Sequence, residues 1–166
     1  MPEEKKALKV FISYATLDKD IRKEMQTALA VLVKNGDIEF WQDGEILGGD
    51  MWYDSIQKAM EEADIFILCV TNNFLASDFI NREEIAFSFK KREEGGVVVV
   101  PVILRPCDWT GLAIKVGDQK YKLGDFQALP EKGKPVYSRE WYDHHEAYAN
   151  FATGMKRLVQ RMRETE

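Results

Sequence analysis

The feature that most constrains the fold is a short, uninterrupted apolar run from Ile65 to Val70, followed by a polar turn, an aromatic-bearing loop and an amphipathic helix. A run of this length and composition is typical of a buried strand. The helix that follows opens with Asn81 to Glu84, so an acid lies in its first turn. Because open α/β sheets form their sites where strands end and helices begin, Glu84 is the residue to explain.

Short β-rich runs alternate with helical patterns along the rest of the chain. The run from Val97 to Leu104 has no polar alternation, which predicts a central strand covered on both faces. Parallel strands joined by right-handed helical crossovers are the expected assembly. Further strands are predicted at 8–13, 38–41 and 65–70, and helices at about 51–62, 82–92 and 144–163. The first helix is predicted from the apolar face formed by Ile21, Met25, Ala28, Leu29 and Leu32, and it stops at Asn35-Gly36. A hairpin is predicted within 115–123 and a short edge segment at 126–129.

Length and charge exclude several classes of protein. The 166 residues predict one domain over 1–166, with a core from about 7 to 163. The net charge of −5 and the lack of a basic stripe exclude a nucleic-acid partner. No apolar segment is long enough for a signal peptide or a bilayer span, so we expect a cytoplasmic protein without a membrane partner. Cys69 and Cys107 are far apart and form no metal-binding spacing, which predicts reduced thiols and no metal site.

The loop sequences exclude three kinds of functional site that are common in α/β proteins. The loop from Ser13 to Asp18 has no glycine, which excludes a phosphate-cradling loop of the Walker or dinucleotide-fold type. The third strand ends in Val70-Thr71-Asn72, without the phosphoacceptor aspartate of a receiver domain. A Ser/His/Asp hydrolase is excluded because the chain has no Gly-x-Ser-x-Gly elbow, and its two histidines, His144 and His145, start the last helix.

Taken together, the loops resemble a more specific family. The segments that carry the resemblance occur in the family's order over nearly the whole chain, and the later ones look like its bacterial branch. The chain is similar to TIR (Toll/interleukin-1 receptor) domains in Phe11 to Tyr14 with Asp18, Phe40 to Asp43, Gly48 to Trp52, Thr71 to Phe79 followed by Glu84, Val100 to Trp109, Ala128 to Pro130 and Lys134 to Val136.

The resemblance implies a fold and two classes of function. The fold is α/β, a flavodoxin-like open parallel sheet of five strands with helices on both faces. Members of the family either cleave NAD(+) in immune defence or act as scaffolds that assemble through TIR–TIR contacts. NAD(+) would then be the substrate, with no cofactor required. A third interpretation is a module that binds an ADP-ribose-like ligand without turnover.

Glu84 has a structural and a catalytic interpretation. Asn81 and Glu84 have the spacing of a capping box, so Glu84 could simply accept a backbone hydrogen bond. The catalytic interpretation follows from the chemistry of NAD(+), whose nicotinamide leaves as a neutral base. No general acid is needed, and one carboxylate facing the positive charge that develops on the ribose is enough. The catalytic glutamate of TIR enzymes also lies at this helix start.

The match around this acid has one irregularity. In TIR enzymes an aromatic residue lies four positions before the acid, but here Ile80 is in that place and Phe79 lies five before Glu84. One inserted residue would restore the match; alternatively Glu83 is the acid. We favour Glu84 because Glu83 turns further from the sheet edge on a helical wheel.

The resemblance also implies a set of substrate-binding residues. Tyr14 matches an aromatic that lines the nucleotide cleft, although it could equally be a tyrosine at the edge of the core. The loop from Asp43 to Gly49 corresponds to a mobile loop that gates the cleft and meets the neighbouring subunit. With Ser13 and Phe79, the predicted substrate-binding set is Ser13, Tyr14, Asp43, Gly49 and Phe79.

These observations predict a bacterial TIR domain that hydrolyses or cyclises the nicotinamide–ribose linkage of NAD(+). Activation by self-association through TIR–TIR contacts is expected, together with a sensor domain, fused or separate, as a further partner. The alternative is a TIR interaction module without enzymatic activity. The product, linear ADP-ribose or a cyclic isomer, is left open.

Overall fold

The computed structural model describes residues 6–41, 52–78 and 80–164, which form an α/β arrangement around a parallel sheet. The sheet has the strand order β2-β1-β3-β4, and a separate antiparallel hairpin pairs β5 with β6. The strands are β1 (Leu8–Ser13), β2 (Ile38–Phe40), β3 (Ile65–Val70), β4 (Val98–Ile103), β5 (Ala113–Val116) and β6 (Gln119–Lys122). The helices are α1 (Lys19–Thr27), α2 (Ala30–Lys34), α3 (Trp52–Glu62), α4 (Asn72–Ala76), α5 (Ala86–Glu94) and α6 (His144–Glu164), with a π-helical segment at Ile80–Ile85 directly before α5.

The sheet is covered by helices on both faces, as predicted. All six residues of β3 are buried, which confirms its central place between β1 and β4. One core cluster packs the sheet against α1, α2 and α6, and the other packs it against α3, α4, the π segment, α5 and the hairpin. Among the described helices, none is long and apolar enough to cross a membrane.

The predicted fifth strand is reduced to a single bridge. Leu129 pairs with Val102 of β4 in parallel, but the described residues form no strand there. Pro130 follows directly, and proline has no N–H with which to continue a ladder. The edge of β4 is covered further along by Val136 and Tyr137, whose N–H groups donate to the carbonyls at the end of that strand. The described sheet therefore has four strands and an irregular fifth edge.

The first predicted helix is broken in two. Its apolar face is confirmed, because Ile21, Met25, Leu29 and Leu32 are all buried. The break falls after Thr27, where the Leu29 N–H bonds to the carbonyl three residues back rather than four. A tightened turn of this kind ends one α-helical stretch and begins another without removing the leucines from the core.

The loop predicted after β3 is also partly helical. Thr71 caps α4, its hydroxyl accepting a hydrogen bond from the Phe74 N–H at 3.1 Å. Phe74 is fully buried. The loop prediction was wrong here because five residues are too few for an apolar period to be recognised, although a threonine N-cap was present.

Candidate functional site

The carboxyl end of β1 places Ser13 on the α3–α5 side of the sheet. Side chains alternate between the faces of a strand, and Phe11, two residues earlier, belongs to the core cluster on that side. Ser13 pairs with Leu68 of β3, which belongs to the same cluster. The Ser13 side chain is 1% exposed. A hydroxyl group is therefore buried at the edge of the sheet where α/β proteins form their sites.

The π-helical segment places Glu84 opposite Ser13. Ile80 and Ile85 of this segment are buried in the α3–α5 core, and Glu84 between them is 9% exposed, whereas Glu83 is exposed. A π turn takes up about one more residue than an α turn and is often found at functional sites. It therefore provides room for the one inserted residue that the sequence pattern required. Of the two candidate acids, the structure brings Glu84 to the sheet edge.

A short hydrogen bond joins the two side chains. The Ser13 hydroxyl donates to Oε2 of Glu84 at 2.5 Å, across 71 positions of sequence. Hydrogen bonds from hydroxyl groups to carboxylates are shorter and stronger than neutral ones. This contact fixes the carboxyl group at the end of β1.

The surroundings of Glu84 change its acidity. Burial raises the pKa of its carboxyl group from 4.5 to about 7, and the hydrogen bond from Ser13 acts in the opposite direction because it stabilises the charged form. A carboxyl group with this pKa is partly ionised at neutral pH. Strongly shifted acids at the edge of a sheet are candidates for functional groups.

Asn81 does not occupy the N-cap position that the capping interpretation of Glu84 requires. The helical segment begins at Ile80, so Asn81 lies inside it rather than before it. The Glu84 carboxylate is bonded to Ser13, which lies on another element. The sequence pattern of a capping box is present, but the helix does not start where the pattern places it.

The other predicted site residues are not assembled around this pair. Tyr14 packs with the core cluster on the α1–α6 side, where the Arg22 guanidinium lies 4.7 Å from the centre of its ring. Asp43, Gly49 and Phe79 lie outside the described residues. Ser13 and Glu84 are thus the two predicted site residues that the described part of the chain brings into contact.

A second polar cluster at the same edge was not predicted. Asp18 is 5% exposed and accepts hydrogen bonds from the Thr71 hydroxyl and, at 3.0 Å, from Nδ2 of Asn73. Asp18 and Thr71 both occur in the family-like segments, but nothing in the sequence indicates that they touch. Among the described residues no group of three His, Cys, Asp or Glu side chains is arranged to hold a metal ion.

Comparison with known proteins identifies the family. The family model described as TIR domain matches residues 10–159. The chain is also 30% identical over 156 residues to the uncharacterized protein y4lF of Sinorhizobium fredii, covering 94% of this chain but 45% of that protein. The chain thus spans less than half the length of this relative. The family match includes Ser13 and Glu84 and covers most of the chain, and the chain therefore belongs to the TIR domain family.

Proposed function

We propose that this TIR domain is an NAD(+) nucleosidase that cleaves the nicotinamide–ribose bond, is activated by self-association and serves bacterial immune defence. The observation that supports this proposal best is Glu84, a buried carboxyl group held by Ser13 at the carboxyl edge of the sheet.

The reaction needs a negative charge at one place. The bond between ribose C1′ and the nicotinamide nitrogen breaks, and its electron pair leaves with the neutral nicotinamide. Positive charge develops on the ribose as in other glycosyl transfers. Water then bonds to C1′ and loses a proton, giving ADP-ribose; attack by a nitrogen of the adenine instead gives a cyclic isomer.

A buried carboxylate suits this charge better than an exposed one. An electrostatic contact is stronger where water is excluded, and a group already held in place does not have to reorganise during the reaction. Glu84 meets both conditions, since it is 9% exposed and bonded to Ser13. With a pKa of about 7, the Glu84 carboxyl group is partly protonated at neutral pH. An approaching cation would shift it towards the ionised form.

The alternative is a TIR module that acts only through protein contacts. A scaffold needs complementary surfaces but gains nothing from a buried carboxyl group with a raised pKa, because burying a charge costs stability. Glu84 therefore favours the enzymatic proposal. Incubating the domain with NAD(+) at high protein concentration and measuring free nicotinamide is the direct test. Absence of nicotinamide release under conditions in which the domain is demonstrably assembled would leave the interaction module as the better proposal.

Self-association is the second part of the proposal. TIR domains commonly self-associate. At the described carboxyl edge Glu84 is the one acid that the proposed reaction uses, so a neighbouring chain that closes the site would supply substrate positioning and exclude water. We expect specific activity to rise steeply with protein concentration in a dilution series followed alongside a sizing measurement. Full specific activity from a demonstrated monomer would contradict this part and leave the cleavage reaction intact.

A further inference from the structure

Asp18 is a buried acid that the proposed reaction does not use. It occupies the N-cap position of α1, where an aspartate usually accepts a hydrogen bond from the first turn of its own helix. Its side chain makes no such bond. Both carboxylate oxygens are instead bonded to the segment that follows β3: Oδ2 accepts from the Thr71 hydroxyl and Oδ1 accepts from Asn73.

Thr71 connects this contact to the core beneath Glu84. Its hydroxyl oxygen also accepts from the Phe74 N–H and so caps α4. Phe74 is fully buried in the same core cluster as Ile80 and Ile85, the two residues of the π segment on either side of Glu84. A displacement at the start of α4 would therefore act on the same core cluster that holds the segment carrying the acid.

Two polar contacts thus join the same two parts of the chain. Ser13 and Asp18 both belong to the end of β1 and the turn after it, while Thr71 and Glu84 both belong to the segment after β3. We propose that Asp18 is a positioning residue: its carboxylate holds the start of α4 against the end of β1, and this keeps Glu84 in contact with Ser13. The inference rests on the proposed function, in which Glu84 is the reacting group, and Asp18 itself need not touch the substrate.

Four variants separate this role from simple stabilisation. D18A removes the contact but leaves Thr71 free to cap α4, T71V removes both the contact and the cap, and T71S keeps both. D37A is the matched control, because Asp37 accepts a hydrogen bond from Arg163 at 2.7 Å at the opposite, amino edge of the sheet. We expect D18A and T71V to lower kcat about tenfold or more with little change in KM, since small displacements of a reacting group are costly. T71S and D37A should keep kcat near that of the unmodified domain.

The second readout is the pKa of Glu84, followed by NMR titration of its carboxyl group without substrate. Burial is the largest cause of the raised pKa, so a Glu84 released towards water should titrate below 7, closer to 4.5. Removing a negative charge would also lower a carboxyl pKa, so a variant that changes no charge is needed beside D18A. T71V, which changes no charge, should lower the pKa in the same direction, and D37A should not.

The titration keeps this inference separate from the proposed function. If the unmodified domain released no nicotinamide, the proposed function would fail, while a lowered Glu84 pKa in D18A would still support positioning. An unchanged pKa and kcat in a folded but less stable D18A would overturn the inference. A change in T71V without one in D18A would overturn it too, because the cap alone would then be responsible. If D18A does not fold, equal Glu84 pKa values in T71V and T71S count against the inference.

Discussion

Among the described residues, Glu84 and Glu24 each accept a hydrogen bond from a hydroxyl group, on opposite sides of the sheet. Ser13 donates to Glu84 on the α3–α5 side, and Tyr137 donates to Glu24 of α1 on the α1–α6 side. Glu84 is 9% exposed, whereas Glu24 lies on the surface. Burial raises the pKa of the Glu84 carboxyl group to about 7, and it does so against the effect of the hydroxyl donor. Burial, rather than the hydroxyl partner, gives Glu84 its unusual acidity.

The surface pair has the properties of a packing contact between elements. The rings of Tyr137 and His144 are stacked, with 5.1 Å between their centres. The Arg105 guanidinium lies 5.0 Å from the centre of the Tyr137 ring. Burial and, after it, the Glu24 acceptor raise the pKa of Tyr137 to about 12. This pair joins α1 to the start of α6 and provides a matched control for the buried one.

The largest expected difference between the two pairs is in turnover. E84Q keeps an acceptor for Ser13 but removes the charge that would face the ribosyl cation, so NAD(+) cleavage should fall by about a hundredfold or more. E24Q makes the same chemical change at the surface and should leave cleavage unchanged. The measurement is nicotinamide release at equal protein concentration and equal assembly.

A further variant, E83Q, tests the neighbouring acid. Glu83 is exposed, so its substitution should have little effect. Cleavage by E84Q at the unmodified rate would remove Glu84 from the mechanism, and a large loss in E83Q would transfer the role to Glu83.

The second difference is in the pH dependence of the reaction. The proposed reaction requires the ionised form of Glu84, whose pKa is about 7. kcat/KM should therefore rise about tenfold per pH unit below 7 and level off above it, since this ratio reports the free enzyme. The E24Q profile should coincide with that of the unmodified domain. A profile that is flat between pH 5 and 8 would contradict a reaction that depends on the Glu84 carboxylate.

The sequence predicted the sheet better than its edges. Period-two and continuous apolar runs reflect local burial, so β1, β3 and β4 and the face of the first helix were placed correctly. The fifth strand was not, because whether Leu129 extends into a strand depends on pairing with β4 and on the proline that follows. Family resemblance indicated a sheet of five strands, and local backbone chemistry reduced the last to a bridge.

The sequence identified Ser13 and Glu84 as site residues but did not predict the contact between them. Glu84 was selected because of its place in a family-like pattern, and its spacing fitted a helix cap equally well. The bond to Ser13 joins parts of the chain 71 positions apart, so no local pattern could reveal it. The π segment was also unpredictable from periodicity, and yet it decides that Glu84 rather than Glu83 is buried. Tyr14 was grouped with Ser13 by sequence, although neighbouring residues at a strand end face opposite sides.

The third difference is in stability. Between pH 4.5 and 7 the unfolded Glu84 carboxyl group ionises while the folded one stays protonated, so the folded state loses stability as the pH rises through this window. Above pH 7 the accumulated loss is about 3 kcal/mol, from about 1.4 kcal/mol for each unit of pKa shift. E84Q should therefore be more stable than the unmodified domain at pH 8, by up to this amount, and of similar stability at pH 4.5. Denaturant unfolding at the two pH values checks this, and E24Q should show no pH-dependent gain.

The smallest expected difference is between removing the Ser13 hydroxyl group and removing the Tyr137 hydroxyl group. S13A removes the bond that favours the ionised form of Glu84, so the pKa of Glu84 should rise further, by about one unit on the scale of a hydrogen bond to a charged group. The rising limb of the kcat/KM profile should then move to higher pH, with the loss of activity greatest near pH 7 and recovered at high pH. Y137F removes the equivalent donor to Glu24 and should leave the profile in place. If S13A instead stays less active at high pH with a raised KM, Ser13 also binds the substrate, as the family resemblance predicts. A limb that stays in place would mean that Ser13 does not stabilise the carboxylate, and burial alone would then account for the raised pKa of Glu84.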